Sequence, residues 1–330
     1  MGDVAMTVPV LSQLLEQHPE IRVTVLSRKQ FEPFFKGLPR TQFLEADVKG
    51  KHKGLRGLIR LAKTANALGI DMVADLHNVL RSKVLVSYFR LKGVPCQVMD
   101  KGRAEKRALI GQNGAPAKQL KSTHQRYADV FRKGGVPIQL QAKATYPKVD
   151  LSARLQNVFG DRQRKAVGLA PFAAHSGKMY PLEKTKELAL ALANDGGYLL
   201  LLFGGGEKET AWLSDLGTHS DNLINIAGQV TFTEELALIS NLDLMVSMDS
   251  GNGHLAALYG VPVLTLWGVT HPCLGFAPFG QESRQQLLSD QQAYPLIPTS
   301  VYGNKVPEGY EQVMESIPVD AVVQKIKELA

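Results

Sequence analysis

The sequence predicts an α/β protein built from two doubly wound, Rossmann-like parallel-sheet domains facing across a cleft, and three observations carry that prediction. The chain has 330 residues, more than one hydrophobic core usually organises, so two domains are expected, over 1–150 and 151–330. Apolar, β-rich runs alternate with amphipathic segments along the whole length, which is the pattern of parallel strands covered by helices on both faces. Loops of small residues follow several of the apolar runs, and in doubly wound sheets the loops at the carboxyl ends of strands hold the ligand.

In the first half the periodicity predicts helices near 4–17, 55–68, 81–90 and 123–133, and strands near 21–27, 72–77 and 96–99. The stretch 143–150 contains Pro147, lacks periodicity and is expected to link the domains. The alternation then restarts with a strand at 166–170, a helix at 183–193 and a strand at 198–203. Thr231 followed by Glu234 forms a capping box that opens a helix to about Ser240. Strands at 242–247 and 263–267 flank a helix starting near His254, and Val322, Val323, Ile326 and Leu329 place one apolar face on a terminal helix. A doubly wound unit opens on a central strand. This chain opens on the Gly2-Asp3 turn that would follow one, so the native sequence is expected to extend upstream of Met1 by roughly one strand.

Composition narrows the class. Apolar runs such as 198–203 are far shorter than the roughly 20 residues that cross a bilayer. No basic segment leads into an apolar one at the N-terminus, and Cys96 and Cys273 alone support neither a disulfide framework nor a zinc site; a cytoplasmic protein is expected. The net charge of +7 conceals a division: residues 1–150 hold 26 Lys+Arg against 12 Asp+Glu, and the remainder 12 against 19. A half of +14 joined to a half of −7 points to an anionic partner for the first domain, either a phosphate- or carboxylate-bearing glycolipid or a lipid surface. Nucleic acid ranks below these, because aromatic residues make up only 7% and no binding signature is present.

Several groups of residues could carry chemistry. Asp249-Ser250-Gly251-Asn252-Gly253-His254 stands where an apolar strand turns into a helix, so its glycines admit a ligand to the backbone and its amides attract phosphate oxygens. The plainer alternative is a helix cap at Asp249 or Ser250 with His254 packed on the sheet. Gly204-Gly205-Gly206 follows a second strand and precedes Glu207, Lys208 and Glu209, where a carboxylate could accept both ribose hydroxyls; the glycines do not follow the dinucleotide spacing. His175-Ser176-Gly177-Lys178 follows a third, and Lys178 could neutralise a diphosphate leaving group. Asp3 is either a helix cap or a general base. His77, Arg81 and Lys83, with Arg126 and His124, are candidates for gripping acceptor phosphates or carboxylates.

In their order these segments resemble glycosyltransferase family 9, the ADP-heptose:lipopolysaccharide heptosyltransferases. Met1-Gly2-Asp3-Val4-Ala5-Met6-Thr7-Val8-Pro9 is similar to the family's N-terminal motif. Residues 249–257, Gly260-Val261-Pro262 and Trp267-Gly268-Val269-Thr270-His271-Pro272 are similar to the C-terminal one. The resemblance implies a GT-B architecture with an N-terminal acceptor domain, a C-terminal donor domain and an active site between them. It also implies inversion at the anomeric carbon without a cofactor or an essential metal. Carried over by position, Asp3 becomes the base, Lys178 meets the donor phosphates and Glu209 the ribose, and Asp249, Ser250, Gly251 and His254 complete the donor pocket. Glu207 stays open in the ribose role because the run has an extra glycine. Ala173-Ala174 replace hydroxyl residues, Ser250 replaces threonine, and Asn252 and Gly253 depart from the motif. The partners implied are an ADP-sugar donor and an anionic glycolipid such as the lipopolysaccharide inner core, with peripheral contact at the cytoplasmic face of the inner membrane. A GT-B nucleotide-sugar epimerase and a non-catalytic nucleotide-sugar binding protein are the alternatives.

Overall fold

The computed structural model describes residues 1–114, 118–142, 146–160 and 163–330. The chain falls into two compact units: Met1, Asp3–Arg103 and Lys121–Gln141 form unit 1, and Gly2, Ala104–Leu120 and Ala142–Ala330 form unit 2. No helix among the described residues is long and apolar enough to cross a membrane.

Unit 1 runs α1 (Gly2–Ala5), α2 (Thr7–Gln17), β1 (Val23–Ser27), a 3-10 turn (Lys29–Phe35), β2 (Thr41–Glu45), α3 (Gly54–Asn66), β3 (Val73–Asp75), α4 (Leu80–Leu91) and β4 (Cys96–Val98). After α5 (Arg103–Leu109) the chain returns to it as α6 (Thr123–Lys133). The single helix expected at 4–17 is two helices meeting at Met6. Pro9 has no N–H to give Ala5, so the hydrogen-bond ladder breaks there, and the Thr7 hydroxyl donates to the Val4 carbonyl at 2.7 Å. Helix α6 has the bounds expected, because Ser122 and Gln125 cap it reciprocally: the Gln125 amide donates to Ser122 Oγ at 3.1 Å and the Ser122 amide to Gln125 Oε1 at 2.8 Å. Among the described residues the strands of unit 1 pair as two separate parallel sheets, β1 with β2 and β3 with β4. The core is carried mostly by helices and by aromatic rings: Val8, Leu11 and Leu14 of α2, the phenylalanines at 31, 34 and 35, Leu58 and Leu61 of α3, and Val130 and Phe131 of α6 are all buried.

Unit 2 contains α7 (Ala153–Phe159), β5 (Lys165–Ala170), α8 (Leu182–Asp195), β6 (Tyr198–Leu202), α9 (Glu207–Gly217), β7 (Leu223–Asn225), α10 (Phe232–Ser240) and β8 (Leu244–Met248). It continues with α11 (Gly251–Leu258), β9 (Val263–Trp267), β10 (Gln286–Leu288) and α12 (Val319–Leu329). The six strands form one parallel sheet in the order β10-β9-β8-β5-β6-β7. Strands β8 and β9 are buried at every position, as strands covered on both faces must be. The expected capping box at Thr231 is present, with the Glu234 amide donating to Thr231 Oγ1 at 3.3 Å and the Thr231 amide to Glu234 Oε2 at 2.8 Å.

Two stretches differ from the sequence expectation. Residues 104–120 pack with unit 2, where Gly111 donates to the Pro298 carbonyl, Gly114 to Pro295 and Leu120 to Cys273, each at 2.9 Å. Of the expected linker 143–150, residues 143–145 lie outside the described residues. Its remainder is docked: the Val149 amide donates to Ser240 Oγ at 3.1 Å, and the buried Tyr146 ring lies 5.4 Å from that of Tyr259.

Candidate active site

The sheet order of unit 2 reverses at its centre. From β5 the chain moves outward to β6 and β7, and then returns to the other side of β5 for β8, β9 and β10. Loops leaving the carboxyl ends of β5 and β8 therefore diverge and leave a crevice at the switch point. All three donor constellations follow strands at or next to this point: Lys178 follows β5, Asp249 and Ser250 follow β8, and Gly204–Glu209 follows β6.

The Lys178 ammonium lies 3.1 Å from Asp249 Oδ2, and the same oxygen accepts the Thr270 hydroxyl at 2.9 Å. The Lys178 and Asp249 side chains retain only 13% and 10% of their exposure, so the pair is weakly screened. Glycines hold this cluster. Gly303, at φ +82°, lies so close that a Cβ there would stand 2.5 Å from Lys178 Cγ. The Gly177 carbonyl accepts from the Val269 amide at 2.9 Å, and a side chain on Gly177 would meet Val269 and Val306 at 2.7 Å. Thr270 and Gly303 were not singled out from the sequence. Thr270 was legible within the Trp267–Pro272 motif, but Gly303 had no local signal, because its role is set by a lysine far away in the chain.

Ser250 is the N-cap position of α11, but its side chain makes no capping hydrogen bond. The cap alternative therefore fails for Ser250, and the first amides of α11 carry no side-chain cap. Gly251 and Asn252 are partly exposed at the helix start, whereas His254 is buried one turn in. Gly253 is fixed by packing: a Cβ there would lie 2.6 Å from Ser247 Oγ and 3.3 Å from Val263. Of the two carboxylates after β6, Glu209 is half-buried and folds back to accept the Gly205 amide at 2.9 Å, while Glu207 is exposed. Phe172 and Trp212 stack edge to face beside it at 5.8 Å, and a Cβ on Gly204 would touch both Phe172 and the Glu209 carboxylate. His271 is half-buried, desolvation pushes its pKa down to about 4, and its Nδ1 accepts the Cys273 amide at 3.0 Å, so it is neutral at pH 7.

In unit 1, Asp3 lies inside the first turn of α1, with no hydrogen bond to its carboxylate from the described residues, so it is not a side-chain cap. Its backbone is anchored, since the Tyr127 hydroxyl donates to the Asp3 carbonyl at 3.2 Å. Burial raises the Tyr127 pKa, with the Asp3 charge adding to it, which keeps the phenol protonated as this donor. His77 follows β3. Burial lowers its pKa, opposed by Asp3 and Asp75 and reinforced by Lys101 and Arg81. Lys101 follows β4 and is lowered by burial and Arg103, against the pull of Asp3 and Asp75. His77 and Lys101 thus stand in the field of the Asp3 carboxylate, and Lys101 was missed because it lies in a basic run without a motif. Asp75 is buried and organises the turn beneath, accepting His77 N at 3.0 Å, Asn78 N at 2.8 Å and Ser82 Oγ at 2.7 Å.

Arg81 and Lys83 are exposed on α4, free to meet an anion. Arg126 is placed differently from the acceptor role expected of it. It is buried to 5%, its guanidinium donates to the Asp100 carbonyl at 3.5 Å and lies against Gly102, whose φ of +59° and missing side chain make the room. Burial makes it a support for the loop that carries Lys101. His124 is also buried. Among the described residues no group of His, Cys, Asp or Glu has the arrangement of a metal site.

The sequence profile of glycosyltransferase family 9 (heptosyltransferase) matches residues 58–300. The lipopolysaccharide core heptosyltransferase OpsX of Haemophilus influenzae is 23% identical over 100% of this chain and 94% of its own. Lipopolysaccharide heptosyltransferase 3 of Escherichia coli is 23% identical over 82% of this chain and 80% of its own. The crystal structure of a family 9 glycosyltransferase from Veillonella parvula superposes with a TM-score of 0.74 at 19% identity, covering 99% of this chain and 94% of that one. The E. coli ADP-heptose heptosyltransferase II does so at 0.68 and 19%, over 99% and 95%. These likenesses establish the GT-B fold.

Proposed function

Because the chain belongs to glycosyltransferase family 9, the heptosyltransferases, we propose that it transfers a heptose from ADP-heptose to an anionic glycolipid of the lipopolysaccharide inner core. The observation that carries this reading is the Lys178–Asp249–Thr270 cluster at the switch point of unit 2, beside the uncapped start of α11. The names of its relatives supply the sugar and the acceptor: OpsX is a lipopolysaccharide core heptosyltransferase by name, and one solved E. coli relative, WaaC, is bound to ADP-2-deoxy-2-fluoro heptose.

In this mechanism the donor diphosphate meets the Lys178 ammonium and the first amides of α11, and Glu209 accepts the ribose hydroxyls. Asp249 holds the ammonium in place and offers its carboxylate to a sugar hydroxyl, with Ser250, Gly251 and His254 lining the pocket. The Asp3 carboxylate takes the proton of the acceptor hydroxyl as that oxygen bonds to the anomeric carbon. The bond from that carbon to the ADP oxygen breaks with its electron pair, and Lys178 meets the charge that develops on the phosphate. Arg81, Lys83, His77 and Lys101 hold acceptor phosphates or carboxylates. The lysine and the helix amides together supply the charge a divalent ion would otherwise bring, so no cofactor or essential metal is needed.

The test is ADP release on mixing the protein with ADP-heptose and heptose-free lipopolysaccharide, with and without a chelator. Acceptor-dependent release, unchanged by the chelator, is expected. Release without acceptor, or free heptose as the product, would overturn transfer, and inhibition by the chelator would overturn the metal-free mechanism.

A further inference from the structure

Helix α4 carries its apolar residues on two faces. Val86 and Phe89 point into unit 1, while Leu80 and Leu91 are 83% and 88% exposed. Eleven residues are three turns of helix, so the two leucines stand on one outward line about 16 Å apart. Val84 and Ser87 lie between them on the same line, one half-buried and one exposed. Leucines this exposed at both ends of one helix face are unlike the single apolar residues scattered over ordinary surfaces.

The flanks of the line are cationic. Lys83 and Arg90 are exposed on one side and Arg81 on the other. Neighbouring α3 packs against α4 and exposes Arg56, Arg60 and Lys63, with Leu55 62% exposed at its start. Neither helix contains an Asp or a Glu. The two acids between them in sequence are Asp71 and Asp75, and Asp75 is buried and occupied by its turn.

We infer that the outward face of α4, with the basic face of α3 beside it, docks on an anionic lipid bilayer. Leucines projecting beyond a helix and flanked by lysines and arginines are the pattern of a segment lying in a membrane interface: the leucines reach the acyl boundary while the long cationic side chains stay among the phosphates. The absence of acids favours a surface of uniform negative charge, whose attraction adds cation by cation. A second copy of this chain fits poorly, since a two-fold contact through this face would set arginines and lysines against themselves. A patch of so few leucines is also small for the core of a stable protein interface. The inference deepens the reading of a lipid-borne acceptor but rests on the surface of unit 1.

The experiment is co-sedimentation of the full chain with vesicles of phosphatidylcholine alone and with phosphatidylglycerol added, at low and high salt. The vesicles carry no glycolipid or sugar nucleotide, so the outcome is independent of whether heptosyl transfer is observed. Binding is expected to the phosphatidylglycerol vesicles and to weaken with salt. The double variant Leu80→Ser/Leu91→Ser is expected to lower partition by roughly tenfold or more with an unchanged thermal midpoint, because both side chains are already in water in the free protein. Arg56→Gln/Arg60→Gln is expected to flatten the salt dependence. Equal partition of the leucine variant and the parent, no preference for the anionic vesicles, or a soluble dimer abolished by the leucine variant would each overturn the inference.

Discussion

The two units share a chain pattern and differ in where their cores lie. Unit 2 threads six strands into one parallel sheet, and the central strands are buried along their whole length. Unit 1 pairs its strands two by two, and β1 and β4 are half-buried at every position. Its core comes instead from α2, α3, α6 and the phenylalanines after β1. The charges divide the same way: unit 1 holds 21 Lys+Arg against 10 Asp+Glu, and unit 2 holds 17 against 21. Under the proposed function this becomes a division of labour: the strand ends of unit 2 would hold the donor diphosphate, and unit 1 would supply the cationic surface and the base.

That division breaks first at the chemistry. Asp3→Asn is expected to cut transfer by roughly 10²–10⁴ while ADP affinity, which the proposal assigns to unit 2, stays unchanged. Lys178→Ala is expected to lower both, with turnover down by roughly 10²–10³. Steady-state rates together with ADP titration calorimetry separate the two. Equal loss of ADP binding in both variants would end the assignment of donor and base to different units.

Stability sharpens the comparison next. Leu201 is fully buried in β6, and Leu201→Ala is expected to cost about 2–5 kcal/mol. Val25 is half-buried in β1, and Val25→Ala is expected to cost about 1 kcal/mol. Both tryptophans, Trp212 and Trp267, belong to unit 2, so tryptophan fluorescence during urea unfolding reports that unit, while far-ultraviolet dichroism reports both. The leucine variant should shift both signals, and the valine variant the dichroism alone.

The smallest effect depends on pH. Burial pushes Glu235 of α10 up to about 7 from 4.5. Between these values the folded chain keeps a proton that the unfolded chain releases, so this group removes stability as pH rises through the window and adds no further change above it. Glu235→Gln is neutral throughout. Its thermal midpoint is expected to gain on the parent's progressively from about pH 4.5 to about 7, as thermal scans across that range would show; a constant gap would place Glu235 in water.

How legible each part was in the sequence follows from how local its cause is. Strands β6 and β9 were readable because continuous apolar runs mark strands covered on both faces, whereas Thr41–Glu45 mixes polar and apolar residues and was missed as β2. The short β7 and β10, of three residues each, offered too little periodicity. The helix starts at Ser122 and Thr231 belong to capping boxes within four residues. Lys178, Asp249 and Glu209 could be singled out because small residues after apolar strands are a local signal. The burial of Arg126 was not legible, because a basic residue on an amphipathic helix looks exposed until its neighbours are known.

By itself the sequence determined the alternation of strands and helices, the loops at the strand ends, the helix caps and the segregation of charge, since each depends on residues a few positions apart. Only the tertiary structure decided that β5 lies beside β8, which brings Lys178 to Asp249 across seventy-one residues. It also decided that 104–120 joins unit 2, that Arg126 is buried, and that the leucines of α4 face outward. Those outcomes depend on which strands and faces pair across long stretches of chain, and pairing at that range is set by the competition of whole surfaces for burial, which no local period encodes.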